Sequence, residues 1–164
     1  MLPKVKALEL AIYVFARIQR LNHMKLQKLI YYIDAWHLVF FYEPLINENF
    51  EAWVHGPVVR EVWDFFKDKL PVHSEKIFKQ SLILPTISNF EAKISPAQKA
   101  LIDDVLDEYG TKTSYELELF THNELPWQEA RKNYEPLDKC ENIISKKTMK
   151  SYYTILMHEN EECN

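Results

Sequence analysis

Six histidines are spread along the chain: His23, His37, His55, His73, His122 and His158. Imidazole titrates near neutral pH, so each could carry a proton or hold a metal. None stands in an HExxH pair or at zinc-finger spacing. His55 and His122 both fall in corners beside tryptophan-bearing segments. If the fold converged them with Glu124 or Asp34, a metal or general-base site would result, and with it a His-dependent hydrolase. The other reading has each histidine bonded to backbone, locking its corner. No nucleophile–base pair is legible, so no catalytic residue, metal ligand or cofactor is assigned.

The corners carry more information than the histidines. Ala52-Trp53-Val54-His55-Gly56-Pro57-Val58 holds one of only two glycines, followed directly by a proline. Glycine accepts backbone angles that other residues resist, and proline fixes φ near the helical value. The pair predicts a sharp corner with a helix opening at Pro57. Thr121-His122-Asn123-Glu124-Leu125-Pro126-Trp127 combines a helix break, a proline restart and a tryptophan. Thr121 and His122 can satisfy carbonyls left open by the preceding helix. Trp127 then either packs inward or is displayed as a binding anchor.

The elements that must position these corners follow from periodicity. A first helix is predicted over Lys4–Arg20. Asn22 can cap a second, Met24–Tyr42, which from Leu29 onward is apolar nearly all round, with Asp34 and His37 as exceptions. Such a helix is the spine of a bundle. Phe50–His55 alternates like a short strand, and a third helix is expected from Pro57 to Leu70, stopped by Pro71. Residues 76–94, split by Pro85, read as one or two short strands. Ser95-Pro96-Ala97-Gln98 is a capping box whose helix ends at Tyr109-Gly110, glycine taking a left-handed cap. Thr113-Ser114-Tyr115-Glu116 is a second box, opening a helix to Phe120. Pro126 starts another to Asn133, and Ser145 caps a last one, Lys146–Met157. The acidic tail, 159–164, should fray. The fold class is mainly α (α+β): one compact domain, 1–164, of about six helices with a small β element.

Composition narrows the function classes. The chain of 164 residues is 47% apolar and 13% aromatic, enough for a real core. Neither GxGxxG nor GxxxxGKS/T occurs, which argues against the common nucleotide-binding enzymes. A net charge of −4 weighs against a dedicated nucleic-acid binder. A local basic patch remains open: Arg17, Arg20, Lys25 and Lys28 lie in an acid-free stretch and could contact operator DNA. Asp103, Asp104, Asp107, Glu108, Glu116, Glu118 and Glu124 oppose Lys112 alone. That run is either a solvated helix face or a patch that captures a basic partner. Cys140 and Cys163 have no disulfide or metal spacing and read as free thiols of a cytoplasmic protein. Glu9 and Arg17 interrupt the apolar N-terminus, and no run is long enough to span a membrane.

Four ordered blocks then stand together. They are Met24-Lys25-Leu26-Gln27-Lys28-Leu29-Ile30-Tyr31-Tyr32 with Ala35-Trp36-His37-Leu38; Phe50 to Val59; Leu117, Thr121-His122, Pro126-Trp127 and Ala130-Arg131; and Ile144 to Tyr153. Over residues 20–155 the chain resembles the SocA-like antitoxin family, also called the Panacea domain, which includes phage-associated GepA-type proteins. Residues 71–94 match none of its motifs. The resemblance implies an antitoxin that binds a co-encoded toxin, by capping it or by delivering it to a protease. Lys25, Leu26, Gln27, Lys28, Tyr31, Tyr32, Trp36, Trp53, His55, Gly56, Pro57, Val58, Thr121, His122, Pro126 and Trp127 then form scaffold or toxin interface. The alternative is a winged-helix-like DNA-binding regulator, and a self-repressing antitoxin would combine both roles.

Overall fold

A helix with apolar residues on every face can satisfy them only at the centre of a bundle. The computed structural model, which describes residues 5–18, 21–68 and 83–164, places such a helix there. It is flanked by α1 (Ala7–Arg17) and is itself α2 (His23–Phe41). After it come β1 (Glu51–Trp53), β2 (Gly56–Val58), α3 (Arg60–Phe66), α4 (Ile83–Lys93) and α5 (Pro96–Tyr109). The chain continues through α6 (Ser114–His122), α7 (Leu125–Ala130) and α8 (Lys146–Glu162). Every α2 residue except Met24, Lys25, Trp36, Phe40 and Phe41 is buried. Around it pack α1, α3, α5, α6, α8 and β2. Asn22 caps it, its Oδ1 accepting the Lys25 N–H at 2.8 Å, and Tyr42 closes it in the left-handed region at φ 64°.

Asp34 is fully buried inside α2. It accepts the Leu45 and Ile46 N–H groups at 2.8 and 3.1 Å and pairs with Lys146 of α8. A buried carboxylate is tolerable when paired and hydrogen-bonded in this way. It fastens both the 43–46 turn and α8 to the central helix.

The mainly helical expectation holds, with eight helices among the described residues and one antiparallel hairpin. The capping boxes at Ser95 and Thr113 form as read, and Ser145 caps α8. Several boundaries differ. Pro57 does not open a helix: it pairs with Ala52 across the hairpin, and α3 begins at Arg60. The corner is a two-residue turn, Val54-His55, with Gly56 at φ 122° and Trp53 opposite it. The Val59 N–H is held by Gln27, which delays the helix start. Residues 83–93 are helical, not extended. Pro85 sits in the first turn of α4, where a missing N–H costs nothing, and Phe90 packs on Tyr13 at 4.7 Å. The reading of 76–82 lies outside the described residues, as do Lys4, Arg20, Leu70 and Pro71.

Gly110 is right-handed at φ −66°, not left-handed. It is needed for space, because a Cβ there would overlap the Leu106 carbonyl oxygen and lie 3.1 Å from Ile18 Cδ1. Helix α6 runs on to His122, α7 stops at Ala130 rather than Asn133, and α8 extends through Glu162, so most of the expected frayed tail is helical. Among the described residues no helix is long and apolar enough to cross a membrane.

Candidate functional site

The two sequence corners meet over the N-terminal half of α2. Gln27 clamps Val59 from both sides: its Oε1 accepts the Val59 N–H at 2.9 Å and its Nε2 donates to the Val59 carbonyl at 3.4 Å. The same Nε2 reaches His23 Nε2 at 3.0 Å. His23 must accept there, which requires a neutral ring; burial pushes its pKa down to about 4 in agreement. The Lys28 stem lies against Gly56. A Cβ at Gly56 would stand 3.2 Å from both Lys28 Cε and Thr121 Oγ1. Lys28 is 1% exposed, and among the described residues its ammonium has one weak acceptor, the Met24 carbonyl at 3.4 Å. Desolvation lowers its pKa to about 8, with Glu118 pulling the other way.

The second corner closes on the hairpin from the far side. Trp127 is buried and its Nε1–H donates to the Trp53 carbonyl at 2.9 Å, so Trp127 packs rather than being displayed. His122 stacks on Trp127 with centroids 4.0 Å apart. Thr121 donates to the Glu118 carbonyl at 3.0 Å, closing the last turn of α6 as expected. Pro126, in the first turn of α7, is buried.

His55 and His122 do converge, but on Glu118 instead of Glu124 or Asp34. His55 Nδ1 is 2.9 Å from Glu118 Oε1, and His122 Nε2 is 3.9 Å from the same atom. Glu118 lies one turn before His122 on α6 and therefore shares its face. Glu124 follows the helix break and points inward, accepting from Tyr32 at 2.5 Å and Tyr153 at 2.9 Å. Desolvation raises its pKa to about 7 and drives the Tyr32 and Tyr153 phenols well above their ordinary value. Tyr31 joins the cluster, its hydroxyl 3.2 Å from that of Tyr153; since the Tyr153 proton goes to Glu124, Tyr31 is the donor of this pair. Among the described residues no group of three His, Cys, Asp or Glu is arranged to hold a metal.

Of the four basic residues, Arg20 lies outside the described residues and the other three each have a partner or are buried. Lys28 is interior, Lys25 donates to the Gly110 carbonyl at 2.6 Å, and Arg17 pairs with Asp103 at 2.7 Å. Leu26 and Val58 are core residues. Trp36, at the other end of α2, donates to the Tyr109 hydroxyl at 3.0 Å. Cys140 is buried and Cys163 exposed, both as free thiols.

Arg131, which sequence reasoning left among the pattern residues, organises the outer wall. It is 5% exposed. Nη1 donates to the Ala52 carbonyl at 2.9 Å, and Nη2 serves the carbonyls of Glu135, Pro136 and Asp138 at 3.0, 3.2 and 2.8 Å. It thus joins β1 to the 135–138 loop. Beyond its place in the third block of the resemblance, its sequence signal is an arginine just past a helix end, because these acceptors are all backbone.

Between the hairpin and that loop lies a cleft of about 300 Å³. Met24, Trp53, Val54 and Trp63 make its apolar surface, and Leu137 stands opposite at 85% exposure. The two tryptophans meet edge to face at 5.3 Å. Arg60, paired with Glu51 at 2.9 Å and Glu141 at 3.1 Å, forms the rim with Lys139.

Residues 26–128 match the family model for the SocA-like antitoxin, Panacea domain. The chain belongs to this family. No curated protein and no solved structure matches it. The Panacea match takes in α2 from Leu26 onward, the hairpin and both corners, and ends inside α7. Arg131, the 135–141 wall of the cleft and α8 lie beyond it. Membership supports an antitoxin role, implies a toxin as partner, and points away from an enzyme.

Proposed function

We propose that this chain neutralises a co-encoded toxin by direct protein–protein contact, with the cleft beside the hairpin as its docking site. The supporting observation is the pair Trp53 and Trp63, only partly buried in an apolar cleft with a charged rim. Half-exposed tryptophan over an apolar floor is the usual composition of a binding hot spot. Apart from Met24, the inner wall lies within the Panacea match, and the outer wall does not. The outer wall, Leu137 and Lys139, then selects the toxin, and the inner wall holds the frame. Capping leaves the toxin in a stable complex; delivery hands it to a protease and leaves none.

The test is growth on inducing the neighbouring open reading frame, alone and with this chain. Arrest alone and recovery on co-expression are expected. The double variant Leu137→Asp/Lys139→Glu should fold normally, since both side chains are exposed, and should lose the rescue. A toxic neighbour that the chain does not rescue removes the pairing. Full rescue by the double variant removes the cleft. Co-purification at raised salt separates capping from delivery.

A further inference from the structure

The opposite end of α2 carries a second surface. Helices α5 and α8 both pack on α2 but barely touch one another, which leaves a trough of about 430 Å³ between them. Trp36 and Phe40 of α2 form its floor, one turn apart. Leu101 and Val105 of α5 and Met157 of α8 line its walls. Phe40 is 54% exposed, a large apolar side chain with no cover.

The rims are acidic on both sides. Leu101, Asp104, Val105 and Glu108 fall at i, i+3, i+4 and i+7, so one face of α5 carries the apolar wall and two carboxylates together. From α8, Glu161 lies one turn beyond Met157. Among the described residues no lysine or arginine lines the trough. Of the acidic run, Asp103 pairs with Arg17 and Lys99, Glu116 caps α6, Glu118 meets His55 and Glu124 is turned inward. Asp104, Asp107 and Glu108 have no ion pair among the described residues, and two of these three, Asp104 and Glu108, border the trough, while Glu161 touches His158 at 3.4 Å. Uncompensated charge therefore stands beside the open apolar floor.

We propose that this trough docks an amphipathic helix of a protein partner, apolar on the seated face and rich in lysine or arginine along its edges. The charge pattern selects it: an acidic segment would be repelled from both rims, and a wholly polar basic one would leave the floor uncovered. Met24 and Phe40 mark the two surfaces and are sixteen residues apart along α2, about 24 Å at the helical rise. The trough is thus separate from the hairpin cleft, and its occupancy does not rest on toxin neutralisation.

The test is fluorescence anisotropy of the full chain with a labelled synthetic peptide of leucine and lysine in helical period. Controls are the same residues scrambled and a leucine–glutamate counterpart. The helical basic peptide should bind best and weaken as salt rises from about 50 to about 300 mM. Asp104→Lys/Glu108→Lys should weaken binding about tenfold or more, and Phe40→Asp, at an exposed site, should do the same. Glu91→Lys on α4 should change nothing. No binding, equal binding of scrambled and helical peptides, or wild-type affinity in both groove variants would overturn the proposal. Growth rescue does not enter this assay, so its outcome is independent of the cleft.

Discussion

Replacing Glu124 by glutamine should stabilise the protein, and only above a definable pH. The Glu124 carboxyl accepts two tyrosine hydroxyls in a site that desolvates it, raising its pKa from 4.5 to about 7. A raised folded pKa means that the native state binds the proton more tightly than the unfolded chain. Stability from this group is therefore complete below pH 4.5 and is lost as pH climbs through about 7. The full displacement is worth at most about 3 kcal/mol, and about 2 kcal/mol after screening at a half-buried residue. Glutamine keeps an oxygen for Tyr32 and Tyr153 and cannot ionise. Urea unfolding of both proteins at pH 4.5, 6 and 8 should give equal stabilities at the lowest pH and a variant about 2 kcal/mol more stable at the highest. Comparing the two proteins at each pH cancels the opposite slope from His23, whose depressed pKa removes stability as pH falls from 6.5 toward about 4. A constant offset between the proteins, or a variant that loses ground as pH rises, would refute a neutral Glu124 in the core.

Lys28→Met should raise the unfolding midpoint at pH 7. The buried ammonium, with its pKa lowered to about 8, costs at most about 3 kcal/mol below that pH, and the cost vanishes near pH 10.5. A destabilised variant would mean that the ammonium, not its stem, holds Gly56. Gly56→Ala should cost about 2 kcal/mol or more, from a φ of 122° and two contacts at 3.2 Å; chemical denaturation measures it, and a neutral effect would show that the corner can relax. Arg131→Lys should cost about 2 kcal/mol and loosen the 135–138 loop, because an ammonium cannot span four carbonyls that a planar fork reaches; faster amide exchange at residues 135–138 is the readout, and unchanged exchange would rule the clamp out.

The helical frame was legible where one local rule decided the outcome. Asn22, Ser95, Thr113 and Ser145 each bond an amide three residues on, which needs no tertiary knowledge. The apolar girth of α2 placed it at the centre. Helix α4 was missed because a short apolar run broken by Pro85 fits a strand as well as a helix, and Tyr13, which decides it, is remote in sequence. At the site, the residues were legible and their partners were not. Glu118 and Glu124 are six positions apart on either side of a helix break. Only the break's geometry sends one to His55 and the other to Tyr32. Lys28 read as surface charge because nothing local reports that the hairpin lies over it.

A hairpin with three residues in each strand is not stable alone, so its shape must come from what grips it. Beside side-chain contacts such as His55 with Glu118 and Arg60 with Glu51, three grips end on backbone atoms. Gln27 holds the Val59 amide and carbonyl, Trp127 the Trp53 carbonyl, and Arg131 the Ala52 carbonyl. The Asn142 carbonyl takes the Ala52 N–H at 2.9 Å on the other edge. Bonds to backbone are indifferent to the side chains that the hairpin turns outward. The Val54 side chain can therefore change without breaking those bonds, provided that Gly56 keeps its close approach to Lys28 and Thr121. A fold that fixes the path of a loop while leaving part of its outer face free suits a family of antitoxins, because one frame can carry many surfaces.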